Sequence, residues 1–147
     1  MIPLNKADEI VFMALTIWRE ARSESIEAKT GVGYSIMNRV EKPKWWGRSI
    51  MEVLFKKWQY SSLTDPNDKQ LTKWPAKDAA WAECMVVAQG VVNKFSINPV
   101  PHADSYFDNS ITAPYWAEPK MFVRQIDRLL FYNVDMDYEK PVVGVEI

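Results

Sequence analysis

The chain has 147 residues, 48% of them apolar, and a formal charge of −1 at pH 7. That length and composition suit one domain, spanning residues 1–147, with a core that needs neither disulfide nor metal. The near-neutral balance argues against a nucleic-acid partner, which would need clustered and uncompensated Lys and Arg. A single cysteine, Cys84, excludes an internal disulfide, and no uninterrupted apolar run is long enough for membrane insertion.

The opening stretch MIPLNKADEI has neither a basic n-region nor an apolar h-region. No signal peptide is read there, so synthesis in the cytoplasm is expected, with delivery elsewhere left to another agent. Asn5 followed by Asp8 and an apolar run marks a helix start. Ile10, Val11, Met13, Ala14, Ile17, Trp18 and Ala21 recur at helical spacing and cover nearly every side, which predicts a central helix ending near Arg22 or Ser23. Ser25 opens a second helix, running to about Val40, with Ala28, Val32, Ile36 and Val40 on its apolar face. Gly31 and Gly33 weaken that helix but admit another backbone at close range, and Pro43 ends it.

SIMEVLFKKW, from Ser49 to Trp58, predicts a short helix with a capping box of Ser49 and Glu52. Gln59 to Gln70 reads as a polar loop with a turn at Asp65-Pro66. Another helix is expected from Pro75 to about Asn93, with Trp81, Cys84, Met85, Ala88, Val91 and Val92 facing inward. Beyond it the period changes. Ala103 to Asn109 reads as a short strand. MFVRQIDRLLFYNV admits a helix, but its alternation also fits a hairpin turning at Asp127-Arg128, which is the reading taken here. The last residues, 134–147, are expected to form an extended tail. The architecture predicted is α+β, mainly helical, with a small antiparallel sheet or hairpin in the C-terminal half.

Seven tryptophans are many for this length. Trp45, Trp46, Trp58, Trp74 and Trp116 sit in polar, turn-like contexts, where aromatic faces beside polar groups suit sugars. An ordinary aromatic core is the stronger reading for any single one of them, and a groove is the reading taken for the set.

The residues between the first two helices carry the chemistry of most interest. Glu20, near a helix C-terminus, faces the negative end of the macrodipole, and the apolar stripe around Trp18 adds desolvation. Both disfavour its ionised form, as a general acid requires. Arg19 and Arg22 act the other way, and a Glu20–Arg ion pair is the reading that residue types alone favour. Glu24 is a cap or surface carboxylate, or a substrate hydrogen-bond acceptor beside Glu20. His102 is the lone histidine, so no zinc set is spaced in the chain and no metal or cofactor is expected. Cys84 falls on the inner face of a helix and reads as a core thiol, although a Cys84/His102 dyad is conceivable.

The run WREARSESIEAKTGVGYSIMNRV resembles the signature of the SleB-type cell wall hydrolases, the spore-cortex-lytic enzymes and their phage relatives. Glu20-Ala21-Arg22, Glu24 and Asn38-Arg39-Val40 match that signature in order and nearly in spacing. Weaker similarities follow at Gln59-Tyr60-Ser61, at Tyr106-Phe107-Asp108 with Pro114 and Trp116, and at IDRLLFY from Ile126. Ser23 stands where the family usually has Gly, Asp108 where it has Asn, and Asp127 where it has Gly. The resemblance implies a lysozyme- and lytic-transglycosylase-like domain acting on peptidoglycan glycan strands, with Glu20 as catalytic acid/base. It also implies Gln59, Tyr60, Ser61, Tyr106 and Trp116 as lining of the glycan groove. With one carboxylate so supported, a single-glutamate scheme is expected, cleaving the β-1,4 bond from muramic acid to glucosamine and forming a 1,6-anhydro end. Hydrolysis by a muramidase, and a non-catalytic glycan-binding module, are the alternatives. Together with the unread signal peptide, the resemblance suggests a monomeric phage or prophage endolysin.

Overall fold

Helix α1 (Leu4–Ala21) is the spine of the molecule. The structure, a computed structural model, describes residues 4–57, 59–76 and 78–135. Ile10, Met13, Ala14, Leu15, Ile17, Trp18 and Ala21 are all buried, as an all-round apolar pattern requires. Helices α2 (Ile26–Glu41), α3 (Ile50–Leu54), α4 (Ser61–Thr64) and α5 (Ala79–Val92) pack around it. It ends at Ala21, whose carbonyl accepts the amide of Glu24 in a tight elbow.

Ser25 caps α2, its hydroxyl accepting the Ala28 amide at 3.1 Å. Ala28, Val32 and Ile36 are buried as the spacing predicts, but Lys29, Ser35, Asn38 and Arg39 are buried too. The helix is therefore enclosed, and its buried polar groups are partnered. Lys29 pairs with Glu83 of α5, and the Asn38 amide donates to the carbonyls of Val100 and Ala103. Gly31 lies against Phe131, where a Cβ would come within 2.9 Å of the ring, and Gly33 lies against Val91.

Three element boundaries differ from the sequence reading. α3 stops at Leu54 instead of running to Trp58, because Ile50, Val53 and Leu54 supply one buried turn and Phe55 beyond them is exposed. Its cap is a displaced capping box. The Ser49 hydroxyl takes the Glu52 amide, while the Glu52 carboxylate reaches back to the amide of Arg48, one residue early. The expected polar loop after Gln59 contains α4 and a 3-10 turn, Lys69–Thr72. The turn at Asp65-Pro66 is present, with the Asp68 amide on the Asp65 carbonyl. α5 begins at Ala79 rather than Pro75 because Asp78 is the cap, its carboxylate accepting the Ala80 amide at 2.8 Å. The other oxygen of Asp78 takes the indole N–H of Trp18, which fastens α5 to α1.

Strands β1 (Ser105–Asp108), β2 (Phe122–Ile126) and β3 (Leu129–Tyr132) form, among the described residues, a three-stranded antiparallel sheet in the order β1-β3-β2. Tyr106 pairs with Phe131, and Gln125 with Leu130. The hairpin turns at Asp127-Arg128 as predicted. Asp127 adopts the left-handed φ of 51° that glycine usually fills. Its carboxylate accepts the Ser25 amide, so an aspartate there contributes a contact that glycine lacks. Ser23 has no positive φ, which explains how the elbow forms without glycine. The residues expected to form the tail lie mostly outside the described residues. Asp135, the last described, donates its amide to the Asp104 carboxylate.

Candidate active site

Glu20 sits in the last turn of α1, where the elbow, α4 and β1 converge. Tyr106 of β1 donates its hydroxyl to Oε1 at 2.5 Å, and Ser62 of α4 donates to Oε2 at 2.8 Å. The ion pair favoured by residue types alone does not form. Arg19 turns to the carbonyls of Ser62 and Lys73 and stacks on Trp74. Arg22 stacks on Trp18 and donates to its carbonyl and to Gln70 Oε1. The two cations thus strap residues 59–74 onto the end of α1 and leave the carboxylate between two neutral hydroxyls.

Burial pushes the Glu20 carboxyl above its ordinary range, and the negative charge of Asp68 adds to the push. The bonds from Tyr106 and Ser62 pull the other way without cancelling it. Tyr106 is itself held well above the ordinary phenol range by its burial and by Glu20, so it remains a hydrogen-bond donor.

Glu20 opens into a cleft of about 240 Å³. Gln59, Tyr60, Tyr106 and Trp116 line it, together with three residues that sequence reasoning did not assign: Arg39, Asp104 and Ser105. Arg39 could have been noticed, since it is the centre of the Asn38-Arg39-Val40 motif. Ser62 was missed because only the phase of α4 decides which of two adjacent serines faces Glu20. Ser61 is exposed and donates to Asp68, away from the cleft. Glu24 is also outside it. Its side chain is 7% exposed, held by Arg128 of the hairpin turn at 2.9 Å, and it also accepts from Ser23. Arg128, Asp127 and the Arg124–Glu27 pair clamp the hairpin onto the elbow that carries Glu24.

Of the tryptophans read as groove residues, Trp116 lines the cleft and stands edge-on to Phe107 and Tyr132. Trp46 is a correction: it is fully buried in the core and donates to the Arg39 carbonyl, a bond that its turn-like sequence context concealed. Trp45 and Trp74 are exposed, and Trp58 lies outside the described residues. Cys84 is buried on α5, and burial pushes its thiol up to about 11, so it is protonated and shielded rather than poised for attack. Among the described residues no group of His, Cys, Asp and Glu is arranged to hold a metal ion, and no helix is long and apolar enough to cross a membrane.

A half-buried, raised carboxyl over a polar, aromatic-edged cleft has the chemistry to donate a proton to a bound ligand, and comparison with known proteins gives the family. Residues 23–132 match the model of the family described as Cell Wall Hydrolase, and the chain belongs to that family. It is thus an enzyme of peptidoglycan degradation. The catalytic domain of the Bacillus cereus SleB protein superposes with a TM-score of 0.67 at 20% identity, covering 86% of this chain and 90% of that one. The catalytic domain of the germination-specific lytic transglycosylase SleB from Bacillus anthracis gives 0.70 at 19% identity, covering 89% and 99%. The fold is accordingly lysozyme-like, mostly helical with a small antiparallel sheet. No curated protein sequence matches the chain. The family match begins at Ser23, just past Glu20, so the case for that carboxylate rests on its geometry.

Proposed function

We propose that the protein is a lytic transglycosylase that cleaves the β-1,4 bond between N-acetylmuramic acid and N-acetylglucosamine, with Glu20 as its acid and base. The observation that carries this reading is the half-buried Glu20 carboxyl, raised by desolvation, facing the cleft and held between the hydroxyls of Tyr106 and Ser62. Protonated Glu20 delivers its proton to the glycosidic oxygen as the bond breaks. The carboxylate left behind accepts hydrogen bonds from Tyr106 and Ser62, which favour the charge that develops during proton transfer and are already in place. Glu20 then takes the proton of the muramic C6 hydroxyl as that oxygen closes on C1, giving the 1,6-anhydro end.

Ordinary retaining and inverting glycosidases use a second catalytic carboxylate. Among the described residues Asp104 is the one carboxylate that lines the cleft beside Glu20. Asp68, which acts on Glu20 through its charge, is not in the lining. Glu24 is tied to Arg128 outside the cleft. Asp104 lines the cleft, but its oxygens accept the Ser105 hydroxyl and the amides of Val134 and Asp135. Those bonds fasten the chain after β3 and leave Asp104 poorly placed to activate water. This favours the single-carboxylate route over a hydrolytic muramidase.

Mass spectrometry of muropeptides released from purified sacculi tests the reading. Anhydro-muramic ends are expected from the wild type, with release falling roughly 10²–10⁴-fold in Glu20→Gln. Reducing ends would make the enzyme a muramidase, and release undiminished in Glu20→Gln would remove Glu20 from the mechanism. We further propose that it serves as an endolysin, the role that the sequence resemblance suggests. Cells making it in the cytoplasm should remain turbid until the membrane is permeabilised and then clear; clearing without permeabilisation would contradict that role.

A further inference from the structure

Arg39 is the one cation that lines the cleft among the described residues. It is 6% exposed, and its guanidinium is fixed from several sides. Nε donates to the Asp104 carbonyl at 2.7 Å and NH1 to Gln59 Oε1 at 3.1 Å. The rings of Trp46, Tyr60 and Trp45 lie 5.2, 5.6 and 5.8 Å from Cζ. NH2 makes no hydrogen bond to the described residues, yet it is not sealed off as the NH2 of Arg19 is. Gln59 gives its acceptor oxygen to Arg39, which leaves its own amide NH2 as a donor on the same wall. A half-satisfied guanidinium held in place beside a second donor presents a positive, two-donor face to whatever enters the cleft. The complement to such a face is a carboxylate, whose two oxygens accept both donors; a neutral amide offers one carbonyl and no charge.

Glycan strands of the proposed substrate alternate two N-acetylated sugars, which differ in the lactyl ether on one of them. We propose that Arg39, seconded by Gln59, is the specificity-determining residue that binds a carboxylate on the muramic side of the strand, either the lactyl carboxylate itself or one carried by the peptide attached to it. This rests on the assignment of peptidoglycan strands as substrate, but not on which product Glu20 forms. Trp46 and Tyr60 hold the guanidinium plane, and the Asp104 carbonyl and Gln59 set its rotation, so the recognition face is built before substrate arrives.

Binding tests this separately from cleavage. The catalytically silent Glu20→Gln protein is titrated by tryptophan fluorescence with peptide-free glycan strands bearing bare lactyl carboxylates. It is then titrated with the same strands after carbodiimide coupling to methylamine. Carboxylate strands should bind roughly tenfold or more tightly than amidated ones, the scale of a charge-assisted hydrogen bond. Adding Arg39→Gln should erase the difference by weakening only the carboxylate form, and Arg39→Lys should restore part of it. Intact peptide-bearing strands form the third arm: an Arg39-dependent preference confined to them assigns the peptide carboxylate as the ligand. Equal binding of all strands by Glu20→Gln, or a preference that survives Arg39→Gln, overturns the proposal. Should Arg39→Gln fold poorly, salt provides the second readout. The preference must shrink as ionic strength rises, and one unchanged in molar salt also overturns it. Failure of the glycosidase reading would look different, as undiminished lysis by Glu20→Gln with the binding preference intact.

Discussion

Tyr106 and Ser62 pull the Glu20 proton off while burial holds it on, and two predictions follow from that contest. Tyr106→Phe removes a bond to the ionised carboxylate, so the Glu20 carboxyl should rise further and the basic limb of the kcat/KM profile should move to higher pH. Turnover should fall roughly ten- to hundredfold with the lost donor. A basic limb that stays in place or moves down would mean that Tyr106 does not act on Glu20. The second prediction concerns stability. The folded-state carboxyl lies above its ordinary value of 4.5, so the folded chain holds this proton more tightly than the unfolded chain does. The stability this contributes is present below 4.5 and is lost as pH rises through the folded-state value. Glu20→Gln has no such loss, so in urea melts it should gain on the wild type as pH rises from 4.5. At this scale the desolvation of Glu20 was legible in the apolar stripe around Trp18, but residue types alone favoured an ion pair with Arg19 or Arg22 that does not form. Its two hydroxyl partners were not legible. Their approach depends on a helical turn and a strand register that no local pattern specifies.

Element by element, legibility followed burial. α1, α2 and the hairpin at Asp127-Arg128 were readable because each carries an apolar period or a turn that packing then used. The start of α5 was not, because Pro75 and Asp78 are both acceptable openings and the choice fell to Asp78, which also holds the Trp18 indole. Asp78→Ala should therefore cost about 1–2 kcal/mol, the sum of a lost cap and a stranded indole N–H. Gly31 is the sharper test of packing. Alanine favours a helix over glycine by about 1 kcal/mol, yet a Cβ here meets the buried Phe131 ring at 2.9 Å. Gly31→Ala should be net destabilising, by about 1–2 kcal/mol once overpacking is set against propensity, and a urea midpoint above the wild type would refute this.

At the scale of the whole molecule, stability is unevenly distributed. α1, α2 and α5 share a continuous apolar core, to which residues 59–74 add Tyr60 and Leu63; that segment is otherwise strapped to α1 by Arg19, Arg22 and the Ser62–Glu20 bond. Amide exchange should accordingly be faster across Ser61–Thr72 than in α2 or α5, and Arg22→Ala should widen that gap while shifting the thermal midpoint little. Uniform protection across these segments would show that the strap is part of the core after all. The site is also assembled from distant parts of the chain. Ser62 lies 42 residues beyond Glu20, and Tyr106 lies 86 beyond it. A ribosome therefore delivers the acid long before the strand that completes it. The nascent chain carries no working centre until β1 has emerged and docked, and in refolding the return of lytic activity should coincide with the slowest structural phase.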